Sequence, residues 1–247
     1  MTRKEQIKSA YKLTGSNASF YDGMMTYSTL SGKTICRLIW NMNQEKNLRY
    51  IEQALSGVPE DFDGKLLEVP VGTGVLTMPV YKELPDADIT CLDYSADMMG
   101  AAHKKAEAAG IKNITFRQGD VGELPFDDGS FDTVLSLNGF HAFPDKEAAY
   151  RETFRVLKPG GHMVIVELTT PVRFPMKQLF RVYSHTVLPL YGRLISKDKR
   201  AYSYLTQTIE AFPQGERMMT ILQQAGFSDT AFQRLPCGIC TLYSATK

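Results

Sequence analysis

The chain has no run of about 18 apolar residues, the length a helix needs to cross a bilayer, so no transmembrane segment is expected. Its first residues, Met1-Thr2-Arg3-Lys4-Glu5-Gln6-Ile7-Lys8, are charged and lack the apolar stretch of a secretory signal, which makes a cytoplasmic location the expectation. Charge of one sign is missing too. A formal net charge of +1 gives no whole-molecule field for nucleic acid. Cysteine is sparse, with four in 247 residues, and does not make a disulfide framework in a chain this long. Cys237-Gly238-Ile239-Cys240 has a C-x-x-C spacing, but zinc would need a second ligand pair, and Cys36 and Cys91 stand far apart. In a strand, residues three apart point to opposite faces, so these cysteines read as small apolar residues and no metal is expected. No repeat or low-complexity tract appears either. What remains is an α/β chain of enzyme size, long enough to bury a large core.

The most informative segment is Leu66-Leu67-Glu68-Val69-Pro70-Val71-Gly72-Thr73-Gly74. It reads as a buried strand with an acidic end, a glycine-bearing turn, and a helix from about Val75 to Leu84. Glycines let the backbone N–H groups of such a turn approach a polar cofactor closely. A dinucleotide fold would want a third glycine where Thr77 stands, and no Gly-Lys-Ser/Thr closes the loop as a phosphate-binding P-loop requires. The next strand ends at Asp93, 19 residues after Gly74, where a carboxylate can accept hydrogen bonds from ribose hydroxyls. Further turns follow at Gln118-Gly119-Asp120-Val121, at Asn138-Gly139-Phe140-His141 and at Leu157-Lys158-Pro159-Gly160-Gly161, the last opening a fifth strand, His162 to Leu168. Successive strand tips with small or polar residues belong on one edge of a parallel sheet. Ser95 and Asp145 are expected to cap helices, Gly110 to end one, and Asp229–Arg234 with Gly238–Ala245 to form a terminal hairpin.

In their order and spacing, Glu68 to Gly74, Asp93, Gly119-Asp120 and the Leu157 to Gly161 turn resemble the motifs of class I S-adenosylmethionine-dependent methyltransferases. The resemblance covers roughly residues 60 to 170. Tyr183 through Gly192, Tyr202-Ser203-Tyr204-Leu205, Ile209, Phe212-Pro213 and Ala225-Gly226-Phe227 add a likeness to the C-methyltransferases of ubiquinone and menaquinone biosynthesis. Two departures stand out. Pro70 replaces a glycine of the first motif and removes one N–H from the loop. Asn138-Gly139-Phe140-His141-Ala142 stands where the quinone enzymes carry Phe-Gly-Leu-Arg-Asn.

The resemblance implies a doubly wound, mostly parallel seven-stranded sheet with a helical lid, S-adenosylmethionine as cofactor, and a small, fairly apolar acceptor such as a quinone-type ring. It also implies roles. Glu68, Gly72, Thr73 and Gly74 would hold the methionine moiety and Asp93 the ribose, with Tyr94 and Met98 beside the adenine. Gly119 and Asp120 would meet the adenine amino group, Val121 N–H a ring nitrogen, Asn138 the amino-acid end, and Tyr21 the methionine carboxylate. A nicotinamide-dependent oxidoreductase and a non-catalytic cofactor-binding module are the competing readings.

Residues 1–57 are expected to form an N-terminal helical lid segment and residues 58–247 the core, with a lid insertion at about 170–213; both lid segments are rich in aromatic residues and methionine. Met176, Leu179, Phe180, Tyr183 and Val187 have the spacing of one buried helical face. Arg173, Lys177, Arg181, Arg193, Lys197, Lys199 and Arg200 are set against Asp198 alone, a pattern that suits peripheral contact with anionic lipid as well as a solvated face. His141 at the fourth strand tip and His185 in the lid are the candidate bases for deprotonating an acceptor.

Overall fold

The computed structural model describes residue 22 and residues 52–187, 207–235 and 238–247. The expectations for Tyr21, for the lid before residue 52 and for residues 188–206 lie outside those residues, as do Cys36 and Cys237. Strands β1 (Lys65–Glu68), β2 (Asp88–Asp93), β3 (Ile114–Gln118), β4 (Phe131–Leu137) and β5 (Leu157–Leu168) run parallel. Strands β6 (Ser228–Arg234) and β7 (Cys240–Thr246) form an antiparallel hairpin, with β7 antiparallel to β5. The order across the sheet is β3-β2-β1-β4-β5-β7-β6. This is the doubly wound sheet expected, and the reversal between β1 and β4 opens a crevice at their C-terminal ends.

The central strands are apolar on both faces, as a covered parallel sheet requires. Leu66, Leu67, Ile89, Leu92, Val134, Leu135 and Ile165 are all buried, each contributing roughly 1.5–3 kcal/mol of transfer free energy. The edge strands β3 and β6 are polar and largely exposed, which keeps the sheet from pairing onward. Ala54, Leu55 and Val58 are buried against the sheet, so the chain joins the core from residue 54.

Helix α1 (Met78–Tyr81) is a single turn, and the helix expected from Val75 does not form. Pro79 explains the late start: it lacks an N–H and fits only the first turn of a helix. Helix α2 (Ala96–Ala109) begins with Ser95 accepting a hydrogen bond from Met98 N and ends at Gly110 with φ 73°. Helix α3 (Lys146–Val156) is capped by Asp145 through Ala148 N. Helix α4 (Met176–Val182) continues into a π turn at Tyr183–Val187, and α5 (Glu216–Gln224) leads to the hairpin. Two further readings are corrected. β5 starts at Leu157 and takes in the Pro159-Gly160-Gly161 turn, because Gly160 N donates to Lys247 O and Lys247 N to Gly161 O. The α4 face is not uniformly buried: Met176 and Phe180 are half-buried, Leu179 is half exposed, and Tyr183, where the π turn begins, is buried.

Candidate active site

Between Glu68 and Met78 the chain turns sharply twice. Gly72 and Gly74 both hold positive φ, 55° and 64°. A Cβ on Gly72 would meet no atom within 4 Å, whereas one on Gly74 would come within 2.8 Å of the Met78 side chain and 3.1 Å of Ala102. Gly72 therefore leaves open space, and Gly74 permits close packing of the turn on α2. Asp93 fixes the turn from β2, one carboxylate oxygen accepting from Gly72 N at 2.8 Å and the other from Ser95 N at 2.8 Å. Burial pushes the Asp93 carboxyl up to about 6 against those donors. Glu68 lies deeper. The Tyr81 hydroxyl donates to it at 2.9 Å and the Cys91 thiol stands 3.6 Å away; burial raises its carboxyl to about 8.

Two chambers open on this edge and share Pro70 and Asp93. One is lined by Tyr94, Gly119, Asp120, Val121, Ala142, Phe143 and Pro144 among others. The second is lined by Glu68, the Val71–Thr77 turn, Met98, Leu137 and Asn138. Every candidate cofactor residue within the described part of the chain thus meets along one continuous cleft. One detail differs from expectation: Met98 lines the second chamber with the glycine turn, while Tyr94 lines the first. Asp120 shapes its own turn, accepting from Gly122 N at 2.9 Å.

The lining fits an elongated cofactor with a nucleoside at one end and an amino acid at the other. Asp93 sits where the chambers join, and each of its oxygens keeps a lone pair for a hydroxyl donor. Asn138 holds φ 53°, and its Oδ1 is buried without a hydrogen-bond partner in the second chamber's wall, an acceptor that a bound amino group would satisfy. Thr77 is buried where a dinucleotide fold needs glycine, which removes the close helix–strand approach that fold uses.

His141, next in the chain to Ala142 of the first chamber's lining, is buried with Glu167 of β5, and neither lines a chamber itself. His141 Nδ1 lies 2.8 Å from Glu167 Oε2, and His141 N donates to Oε1 at 3.3 Å. His185 is not brought to this edge. It stands half exposed on the π turn, with Nε2 3.1 Å from Glu210 at the surface. Three participants were missed by sequence reasoning. Glu167 had a signal, a carboxylate at the end of the apolar run Met163-Val164-Ile165-Val166. Asp22 and Lys105, which hold Thr73, had none, since each reads as one surface charge among several. Pro70, the departure from the glycine pattern, packs against Gly139, where any Cβ would collide with its ring.

Residues 18–247 match the model of the ubiE/COQ5 methyltransferase family. The chain is 46% identical over 184 residues to the demethylmenaquinone methyltransferase of Bacteroides fragilis, covering 74% of this chain and 75% of that protein. It is 36% identical over 197 residues to the demethylmenaquinone methyltransferase of Thermus thermophilus, covering 80% and 89%. Among solved structures, an S-adenosylmethionine-dependent methyltransferase from Aquifex aeolicus superposes with a TM-score of 0.55 at 18% identity, over 79% of this chain and 88% of that one, which supports the fold. The chain belongs to the ubiE/COQ5 methyltransferase family and is an S-adenosylmethionine-dependent methyltransferase.

Proposed function

We propose that this methyltransferase places its methyl group on a ring carbon of a demethylated quinol, with a menaquinone precursor as acceptor. The observation that carries this reading is the 46% identity to a demethylmenaquinone methyltransferase across three quarters of both chains. The same cleft supports it from the geometry. In this reading Asp93 accepts from the ribose hydroxyls, Tyr94 and Val121 flank the adenine, and Gly119 and Asp120 meet its amino group. Glu68, Gly72, Thr73, Gly74, Met98 and Asn138 surround the methionine end. Bound S-adenosylmethionine would supply an electrophilic methyl, leaving the protein to orient the acceptor and exclude water.

The acceptor needs one thing more, a group that takes its proton. His141 occupies the position where the quinone enzymes carry arginine. Held by Glu167 at Nδ1, it has no hydrogen-bond partner at Nε2 among the described residues. Nε2 would take the proton from a quinol hydroxyl, driving electron density onto the neighbouring ring carbon; once methylated, that carbon would lose its own hydrogen as a proton and the oxygen would regain one, restoring the aromatic ring. Glu167 stabilises the imidazolium that results. His185 has a surface partner instead, so His141 is the base we assign.

A lipid-soluble acceptor has to be collected from a membrane. Val172, Phe174, Leu179 and Val182 are exposed by 50% or more, with Arg173, Lys177 and Arg181 exposed among them. Apolar groups interleaved with cations suit peripheral contact with anionic lipid. No helix among the described residues is long and apolar enough to cross a membrane. Incubation with methyl-labelled S-adenosylmethionine and a demethylated menaquinol tests the main reading. Label should enter the organic phase. Its absence in a sample that binds cofactor would assign the enzyme a different acceptor.

A further inference from the structure

Asp22 lies 51 positions before Thr73 in the chain, yet Thr73 Oγ1 donates to Asp22 Oδ1 at 2.6 Å. Lys105, on α2, closes the triangle. Its ammonium lies 2.8 Å from Asp22 Oδ2 and donates to the Thr73 carbonyl at 2.9 Å. Thr73 is buried between Gly72 and Gly74, at the centre of the turn that walls the second chamber. Its backbone and its side chain are therefore both held from outside the turn, by a cation and an anion that are themselves paired. The ion pair is partly shielded, with Asp22 16% and Lys105 31% exposed at the side chain.

We infer that Lys105 and Asp22 are positioning residues for the amino-acid end of the cofactor, acting through Thr73. This role rests on S-adenosylmethionine occupying the cleft and concerns how the second chamber is held in shape. Two glycines at positive φ leave the turn weakly specified by local propensity, since both have wide conformational choice in the unfolded chain. Something other than local propensity has to hold it, and the Lys105 ammonium and Asp22 carboxylate do so. Lys105 has a second effect. Its positive charge offsets that of the Asp22 carboxylate beside a chamber meant to take the carboxylate of methionine. The first chamber, lined by Tyr94, Gly119, Asp120 and Val121, contains none of these three residues.

That separation gives the test. S-Adenosylhomocysteine has both ends of the cofactor, whereas 5′-methylthioadenosine keeps the nucleoside and lacks the amino acid. Calorimetric titration of wild type, Lys105→Met, Lys105→Arg and Asp22→Asn with both ligands separates the chambers. Lys105→Met should raise the Kd for S-adenosylhomocysteine by about tenfold or more, the size of a lost charge-assisted hydrogen bond. Its Kd for methylthioadenosine should stay within about twofold, and Lys105→Arg should restore most of the difference. Asp22→Asn relieves the repulsion but loses the ion pair, so adding it to Lys105→Met should cost less than the two single effects combined. Equal losses for both ligands would make the contact a general support of the fold and overturn the inference, as would no loss for either. Failure of wild type to bind both ligands would instead sink the cofactor assignment itself.

Discussion

At the tips of β1 and β2, Glu68 and Asp93 are buried with neutral donors around them: a tyrosine hydroxyl, a thiol and backbone N–H groups. At the tip of β5, Glu167 is buried as deeply but has an imidazole 2.8 Å away. Carboxyl groups with only neutral partners are pushed toward the protonated form, as both Glu68 and Asp93 are. At Glu167 the partner is instead a ring nitrogen, a contact that fixes how the imidazole is turned. Glu68 and Asp93 meet donors in the chamber walls, whereas Glu167 meets the ring that, in the proposed reading, takes the acceptor's proton.

If that division is right, His141→Ala gives the largest effect and a selective one. Losing a general base should lower kcat by about 10²–10⁴-fold, while S-adenosylhomocysteine affinity, measured by calorimetry, stays near wild type. A matching loss of affinity would erase the distinction between the two sides. Glu167→Gln should act in the same direction and less strongly, and shift the pH profile of kcat, because the amide keeps the contact to Nδ1 without the charge.

Glu68 sharpens the comparison through stability. Its carboxyl is raised from 4.5 to about 8. The stability this contributes is fully present below the ordinary value and is lost as pH rises through the folded one. Between those values the folded state holds a proton that the unfolded state has released, so stability should fall by up to about 1.4 kcal/mol per pH unit. Glu68→Gln cannot titrate and should not follow that decline, gaining on wild type as pH climbs. Urea midpoints near pH 5 and pH 8 measure it, and parallel behaviour of the two proteins would mean that Glu68 is ionised after all.

The cofactor side of this comparison was legible in the sequence because its parts are local. Strand, glycine turn and next strand tip follow within 27 residues, from Leu66 to Asp93, and the sheet brings adjacent tips together without further information. The acceptor side was only half legible. His141 could be placed at a strand tip, but its partner comes from β5, and nothing in the spacing of residues 141 and 167 records that contact. Lys105 and Asp22 were not legible, since their meaning comes from an approach between distant segments. The helix expected from Val75 starts late because Pro79 fits only a first turn, and the apolar spacing on α4 marked a face without showing what, if anything, covers it. Periodic patterns locate elements well and their ends poorly.

Asp93 offers the finest test, since it belongs to the side read best. Asp93→Ala should weaken S-adenosylhomocysteine by about an order of magnitude, two charge-assisted hydrogen bonds being partly offset by relaxation of the turn. The wild-type pH dependence is more discriminating, because it leaves the turn intact. The free carboxyl is raised to about 6, and ribose hydroxyls need the ionised form as acceptor. Affinity should therefore be flat above that value and fall as pH drops through it, by at most about tenfold per unit. Binding at the lower pH should be accompanied by proton release, visible as a dependence of the calorimetric enthalpy on the buffer. Asp93→Asn, which cannot titrate, should bind weakly at every pH without that slope. A slope that survives in Asp93→Asn would move the titrating group elsewhere, with Glu68 next to be examined, and the ribose would need another acceptor.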